Sequence, residues 1–102
     1  MNFAEDLRAK ADAAAISYAY EFLEKMKLLM ESYAEKGCKT LYYKIDMYRD
    51  DEKARLKLYR NPLFVKRLNE KLDGVKVTFI EENKRGLMGN YYKEYFICFD
   101  WS

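Results

Sequence analysis

The sequence predicts an α+β domain: a long N-terminal helix followed by β-α-β-β, with helices packed on a three-stranded mixed sheet. Three observations lead there. Residues 3–36 carry apolar side chains at helical spacing and contain neither Gly nor Pro. Three later segments alternate apolar and polar residues with period two. Between the first and second of them, Asn61-Pro62 has the signature of a helix start. With 102 residues the chain can bury one real core but not two. A single domain over 1–102 is expected, with the long helix in 1–37 and a small α/β unit in 38–102.

The first helix is read from Phe3, Leu7, Ala14, Tyr18, Phe22, Met26, Leu29 and Tyr33, spaced by three, four or seven. Asn2 is suited to cap it, with Glu5 three residues on in a capping-box relation. Lys36 and Gly37 end it, a cation followed by a residue that tolerates the left-handed conformation. A second apolar row runs Ile16, Tyr20, Leu23, Met30 and Ala34, and a helix apolar on two sides packs on two sides. Its length is roughly 50 Å at 1.5 Å per residue, against about 30–35 Å for a globule of this size. The N-terminal end should therefore overhang, and Ala11, Ala13, Ala14 and Ala15 permit close approach of another helix. The expectation is a homo-oligomer formed through Ile16, Tyr20, Leu23 and Met30; the alternative is a helix that kinks or folds back on itself.

Residues 39–48 read as a half-buried strand, with Leu41, Tyr43, Ile45 and Met47 on one face and Tyr42, Lys44, Asp46 and Tyr48 on the other. Residues 49–60 fit a short helix capped by Asp50 or Asp51, or a hairpin strand through Leu56 and Leu58; the helix is favoured. Asn61 then caps a clearer helix with Pro62 at its first position, Leu63, Phe64, Val65, Leu68 and Leu72 on its apolar face, and Gly74 as its stop. Residues 75–82 form a second strand, with Val75, Val77 and Phe79 on one side. Residues 83–90 read as a hairpin loop, and 91–101 as a last strand with Tyr95, Ile97, Phe99 and Trp101 toward the core. The helical crossover makes the first two strands parallel if they are adjacent.

Catalysis is not expected. The chain has no histidine, the commonest general acid and base, and no GxSxG, P-loop or GxGxxG motif. No cofactor or metal site is expected either. Cys38 and Cys98 lack CxxC spacing and histidine partners, and read as buried, small apolar residues in a reducing compartment. Asp50-Asp51-Glu52 reads as helix-cap and dipole chemistry. With 19 basic and 17 acidic residues, the net charge of +2 argues against duplex DNA as a partner. No apolar run suits a membrane span and no signal peptide opens the sequence, so the cytoplasm is the expected location.

Binding is the remaining class. Ten Tyr, six Phe and one Trp make the chain rich in flat apolar faces. The sheet's second face carries Tyr42, Lys44, Asp46 and Tyr48, then Thr78 and Ile80, then Tyr92, Glu94, Phe96 and Cys98. Rings there suit base stacking and Lys44 suits a phosphate. The same composition fits the core of a protein interface, and a third arrangement has the long helix cover this face. In the loop, Lys84 and Arg85 suit an anion, and Leu87 and Met88 a partner contact. The candidate ligand or partner residues are Tyr42, Lys44, Tyr48, Lys84, Arg85, Tyr92 and Phe96.

The opening Asn2-Phe3-Ala4-Glu5-Asp6-Leu7-Arg8, the helix end Lys36-Gly37, the strand start Gly74-Val75-Lys76-Val77 and the close Asp100-Trp101-Ser102 resemble small accessory proteins of bacteriophages and prophages. The resemblance implies a counter-defence context and transfers no functional residue. It implies an oligomeric binder that sequesters a nucleotide immune signal, or, as the alternative, a direct inhibitor of a host defence protein of the anti-CRISPR type. A structural phage assembly module is the third expectation.

Overall fold

The structure, a computed structural model, describes residues 2–102. Helix α1 (Phe3–Glu35) is uninterrupted. Asn2 Oδ1 accepts from the Glu5 amide at 2.8 Å, and Glu5 Oε2 accepts from the Asn2 amide at 3.3 Å, which completes the capping box. At the other end Gly37 takes a φ of 91°. Its amide donates to the Ala34 carbonyl at 2.9 Å and that of Cys38 to the Tyr33 carbonyl at 3.0 Å, a Schellman turn. Then follow β1 (Thr40–Lys44), α2 (Asp50–Ala54), α3 (Leu56–Arg60), α4 (Pro62–Lys71), β2 (Lys76–Arg85) and β3 (Tyr91–Asp100). The ambiguous segment before Asn61 is thus helical, in two short pieces. Asn61 caps α4 by accepting from the Leu63 amide at 3.0 Å.

The sheet has the order β1-β3-β2 and is antiparallel throughout. This corrects the expected mixed sheet: β1 and β2 run the same way but β3 lies between them. The physical reason is burial. Tyr95, Ile97, Cys98 and Phe99 make β3 the most buried strand, and the central position pairs both of its edges. Strand limits shift as well. β1 stops at Lys44, four residues before the expected limit, because Asp46 turns the chain: its Oδ1 accepts from the Tyr48 amide at 3.0 Å. β2 runs on to Arg85, so residues 83–85 belong to the strand and not to the loop.

All the helices lie on one face of the sheet. The core joins Ala19, Phe22, Leu23 and Met26 of α1 with Phe64 and Leu68 of α4, over Leu41, Val77, Ile97 and Phe99 of the sheet. Phe22 is its hub, with the rings of Tyr43, Phe64 and Tyr59 centred 5.0, 5.4 and 5.5 Å away.

The apolar stripe of α1 is used only in part. Its buried row is Ala15, Ala19, Phe22, Leu23, Met26 and Met30, while Phe3 is 74% exposed and Leu7 50%. Residues 2–11 are exposed throughout, so the N-terminal end overhangs. The overhang begins where α4 does. Asn61, at the head of α4, donates to Asp12 Oδ1 at 2.9 Å, and among the described residues, 2–11 have no helix beside them. Cys98 is buried, but Cys38 is exposed in the turn after α1, contrary to the buried reading.

Candidate functional site: the uncovered sheet face

Among the described residues, no element covers the face of the sheet opposite the helices. Strand register aligns Tyr42 with Cys98 and Thr78, Lys44 with Phe96 and Ile80, Glu94 with Glu82, and Tyr92 with Lys84. Alternation places these side chains on one surface, since Leu41, Val77 and Phe99 face the core. Tyr42 is 59% exposed and Tyr92 46%, while Ile80 and Phe96 are half-buried between them.

The charges on this face compensate one another. Lys44 pairs with Glu94, and Lys84 with Glu82 at 3.0 Å. The hydrogen bond from Lys44 holds the Glu94 carboxyl below the usual glutamate range. Donating to Glu94 and Glu82 in turn holds the Lys44 and Lys84 ammonium groups above their usual range. Lys44, Lys76 and Lys84 balance Glu82, Glu94 and Asp100, so the face carries no net charge. The Tyr42 phenol is also raised, first by its Coulombic interaction with the neighbouring Cys98.

At one end of the face is a concavity of about 660 Å³, lined by Lys44 to Tyr48 and by Tyr92, Lys93 and Glu94. It exists because β1 is short. Lys44 pairs with Phe96, so the first residues of β3 have no neighbour on the β1 side. Both lysines that line it have carboxylate partners: Lys44 has Glu94, and Lys93 lies 3.7 Å from Glu81.

A buried polar network fixes the turn that walls this concavity. Glu52 is only 3% exposed. Its Oε1 accepts from the Tyr43 hydroxyl at 3.1 Å and from Arg55 Nη1 at 3.4 Å, and its Oε2 from the Tyr59 hydroxyl at 2.9 Å. Tyr18 and Tyr59 hydroxyls are 3.0 Å apart. The one proton of Tyr59 is engaged with Glu52, so Tyr18 donates to Tyr59. Arg55 also sits over the Tyr18 ring, 5.3 Å from its centre. Burial raises the Tyr59 phenol far above its ordinary range, with the Tyr18 hydrogen bond adding to it, and burial raises Tyr43 too. These side chains tie α1, β1, α2 and α3 together and anchor both ends of residues 45–49. Reading Glu52 as a cap residue missed this. The available signal was Tyr43 on a core-facing strand position, since a buried phenol needs a partner.

Of the expected binding residues, Tyr42, Lys44, Lys84, Tyr92 and Phe96 share the open face. Tyr48 stands at the rim of the concavity, beyond the end of β1. Arg85 does not join them: it projects from the opposite face, over the Tyr91 ring at 5.9 Å. Of the expected oligomer residues, Leu23 and Met30 lie in the chain's own core, where α1 packs on the rest of the domain, and are not available to another copy. Ile16 is half-buried and Tyr20 exposed, with Lys71 5.8 Å from its ring centre.

Among the described residues, no helix is long and apolar enough to cross a membrane, and no three His, Cys, Asp or Glu side chains gather as a metal site would require. Comparison of the chain with protein-family models, with curated proteins and with solved structures finds no match.

Proposed function

We propose that this protein is a non-catalytic binding module that docks a protein partner on the uncovered face of its sheet. The observation that carries the reading is the pairing of that face's charges around its rings. Tyr42, Ile80, Tyr92 and Phe96 offer apolar area, while Lys44 and Lys84 already have Glu94 and Glu82. Aromatic residues without unpaired charge are what the centre of a protein interface favours. The resemblance to phage accessory proteins supports a host defence protein as that partner.

A sequestered nucleotide is the second reading. The concavity favours it, since about 660 Å³ lies within the range of small-molecule sites and Tyr48 and Tyr92 flank it. The cations oppose it, because a phosphate would have to displace Glu94 or Glu81 from its lysine.

Affinity capture from the bacterial host with Phe96→Ser and Tyr42→Ala variants tests the reading, with Lys57→Ala, on an exposed helical position, as control. A protein retained by the wild type and by the control, and lost from both face variants, is expected. Calorimetry with cyclic and ADP-ribose-derived nucleotides supplies the opposing outcome: saturable heat with any of them, abolished by Tyr92→Ala, would replace the protein partner with a nucleotide.

A further inference from the structure

The outer edge of β2 is open along most of its length. Asn69 fills the place of a neighbouring strand at Val77, accepting from its amide at 2.8 Å and donating to its carbonyl at 2.9 Å. Main-chain groups alternate in direction along a strand of an antiparallel ladder. Phe79, Glu81, Asn83 and Arg85 therefore also point their N–H and C=O groups away from β3. Arg60, at the end of α3, reaches Glu81 at 2.9 Å; beyond it Asn83 and Arg85 are exposed. An unpaired edge of this kind is a template for another strand.

The side chains on that edge specify which strand. Glu81-Glu82-Asn83-Lys84-Arg85 reads acid, acid, amide, base, base. An antiparallel copy centred on Asn83 sets Glu81 opposite Arg85 and Glu82 opposite Lys84, each twice by symmetry. Asn83 then faces itself, and because its main chain points outward the twofold axis falls on a hydrogen-bonded pair. The neighbouring antiparallel registers set Glu82 against Glu82 or Lys84 against Lys84. Parallel pairing in register sets every charge against its like. Cross-strand opposite charges favour a pairing and like charges oppose it, so the edge selects a second copy of itself in one register. The same register brings the loop that carries the exposed Leu87 toward Phe79 of the other copy.

We propose that two copies of this chain join edge to edge through β2, centred on Asn83, to make one continuous sheet of order β1-β3-β2-β2-β3-β1. The main-chain contact lies on the strand edge, while Glu82 and Lys84, which pair with each other within one copy, exchange partners across the axis from the open-face side; Asn83→Pro leaves that face unchanged and separates this contact from the partner reading above.

Sedimentation of the purified protein from low to high micromolar concentration tests it. A monomer–dimer equilibrium is expected. Glu82→Lys alone or Lys84→Glu alone should weaken the dimer by about tenfold or more, because each turns two attractive pairs into repulsive ones. The double variant Glu82→Lys/Lys84→Glu should restore it. Asn83→Pro should abolish it while circular dichroism stays native, because the amide it removes points away from β3. A monomer at every concentration overturns the proposal. So does a dimer unmoved by the single reversals and by Asn83→Pro.

Discussion

The Tyr59 hydroxyl donates to Glu52 Oε2 at 2.9 Å, and Glu52 is the one buried charged residue among those described. Removing the carboxylate leaves the buried Tyr59 hydroxyl and the partly buried Tyr43 hydroxyl without their acceptor. Glu52→Ala is therefore expected to cost about 2–4 kcal/mol, lowering the melting temperature by on the order of 10–20 °C for a domain of this size. Glu52→Gln keeps the shape and one acceptor oxygen, and should cost less. Thermal denaturation followed by circular dichroism measures both; an unchanged midpoint in Glu52→Ala would refute a supporting role for the network.

The raised Tyr59 phenol has a consequence at high pH. Below about pH 10 the residue is protonated whether the chain is folded or unfolded, and stability does not depend on it. Above that pH the unfolded chain loses the proton and the folded one keeps it. Stability should then fall by about 1.4 kcal/mol per pH unit from this residue. Denaturant midpoints at stepped alkaline pH should show the decline, and Tyr59→Phe should flatten it.

On the open face, Lys44 holds the Glu94 carboxyl low by a hydrogen bond. In Lys44→Ala the Glu94 titration midpoint should move up toward the ordinary glutamate range. Carbon-detected NMR of the side-chain carboxyl reads the midpoint directly, and an unmoved value would mean that the pair does not persist in solution.

Phe3 and Phe22 belong to the same sequence stripe and have opposite surroundings. Phe22→Ala empties the hub of the core and should cost about 3–5 kcal/mol. Phe3→Ala, on the overhang, should stay within about 0.5 kcal/mol of the wild type. Urea denaturation of the two variants side by side makes the comparison.

Local signals in the sequence were legible and non-local ones were not. Asn2 with Glu5, Lys36-Gly37 and Asn61-Pro62 mark helix ends through contacts a few residues apart, and each lies where it was expected. Alternation assigned Tyr42, Lys44, Tyr92 and Phe96 to one face, because side-chain direction is a property of the strand itself. It does not say which strands are neighbours, and so the position of β3 between β1 and β2 was out of reach. Periodicity likewise shows that α1 is apolar at Phe3 and at Phe22, but only where α4 begins and the sheet lies decides which of them is covered. Leu23 and Met30 fit another copy equally well in the sequence, because a second apolar row does not reveal whether its neighbour is the same chain. Arg85 and Lys84 read as a loop pair in the sequence, but the strand continues through both, and adjacent residues in a strand face opposite ways.

The overhang of α1 follows a different thermodynamics from the rest of the helix. A free segment as short as residues 2–11 would hardly be helical in water, because the first turn must be nucleated at a loss. Here the nucleus is supplied from outside the segment, at the turn where Asn61 holds Asp12. Toward Asn2 the helix then needs only to propagate, one hydrogen bond for each residue fixed. The capping box at its far end meets the last amides. The overhang is thus an extension grown from a seeded template, and its order should fade smoothly with distance from Asp12 without a cooperative break.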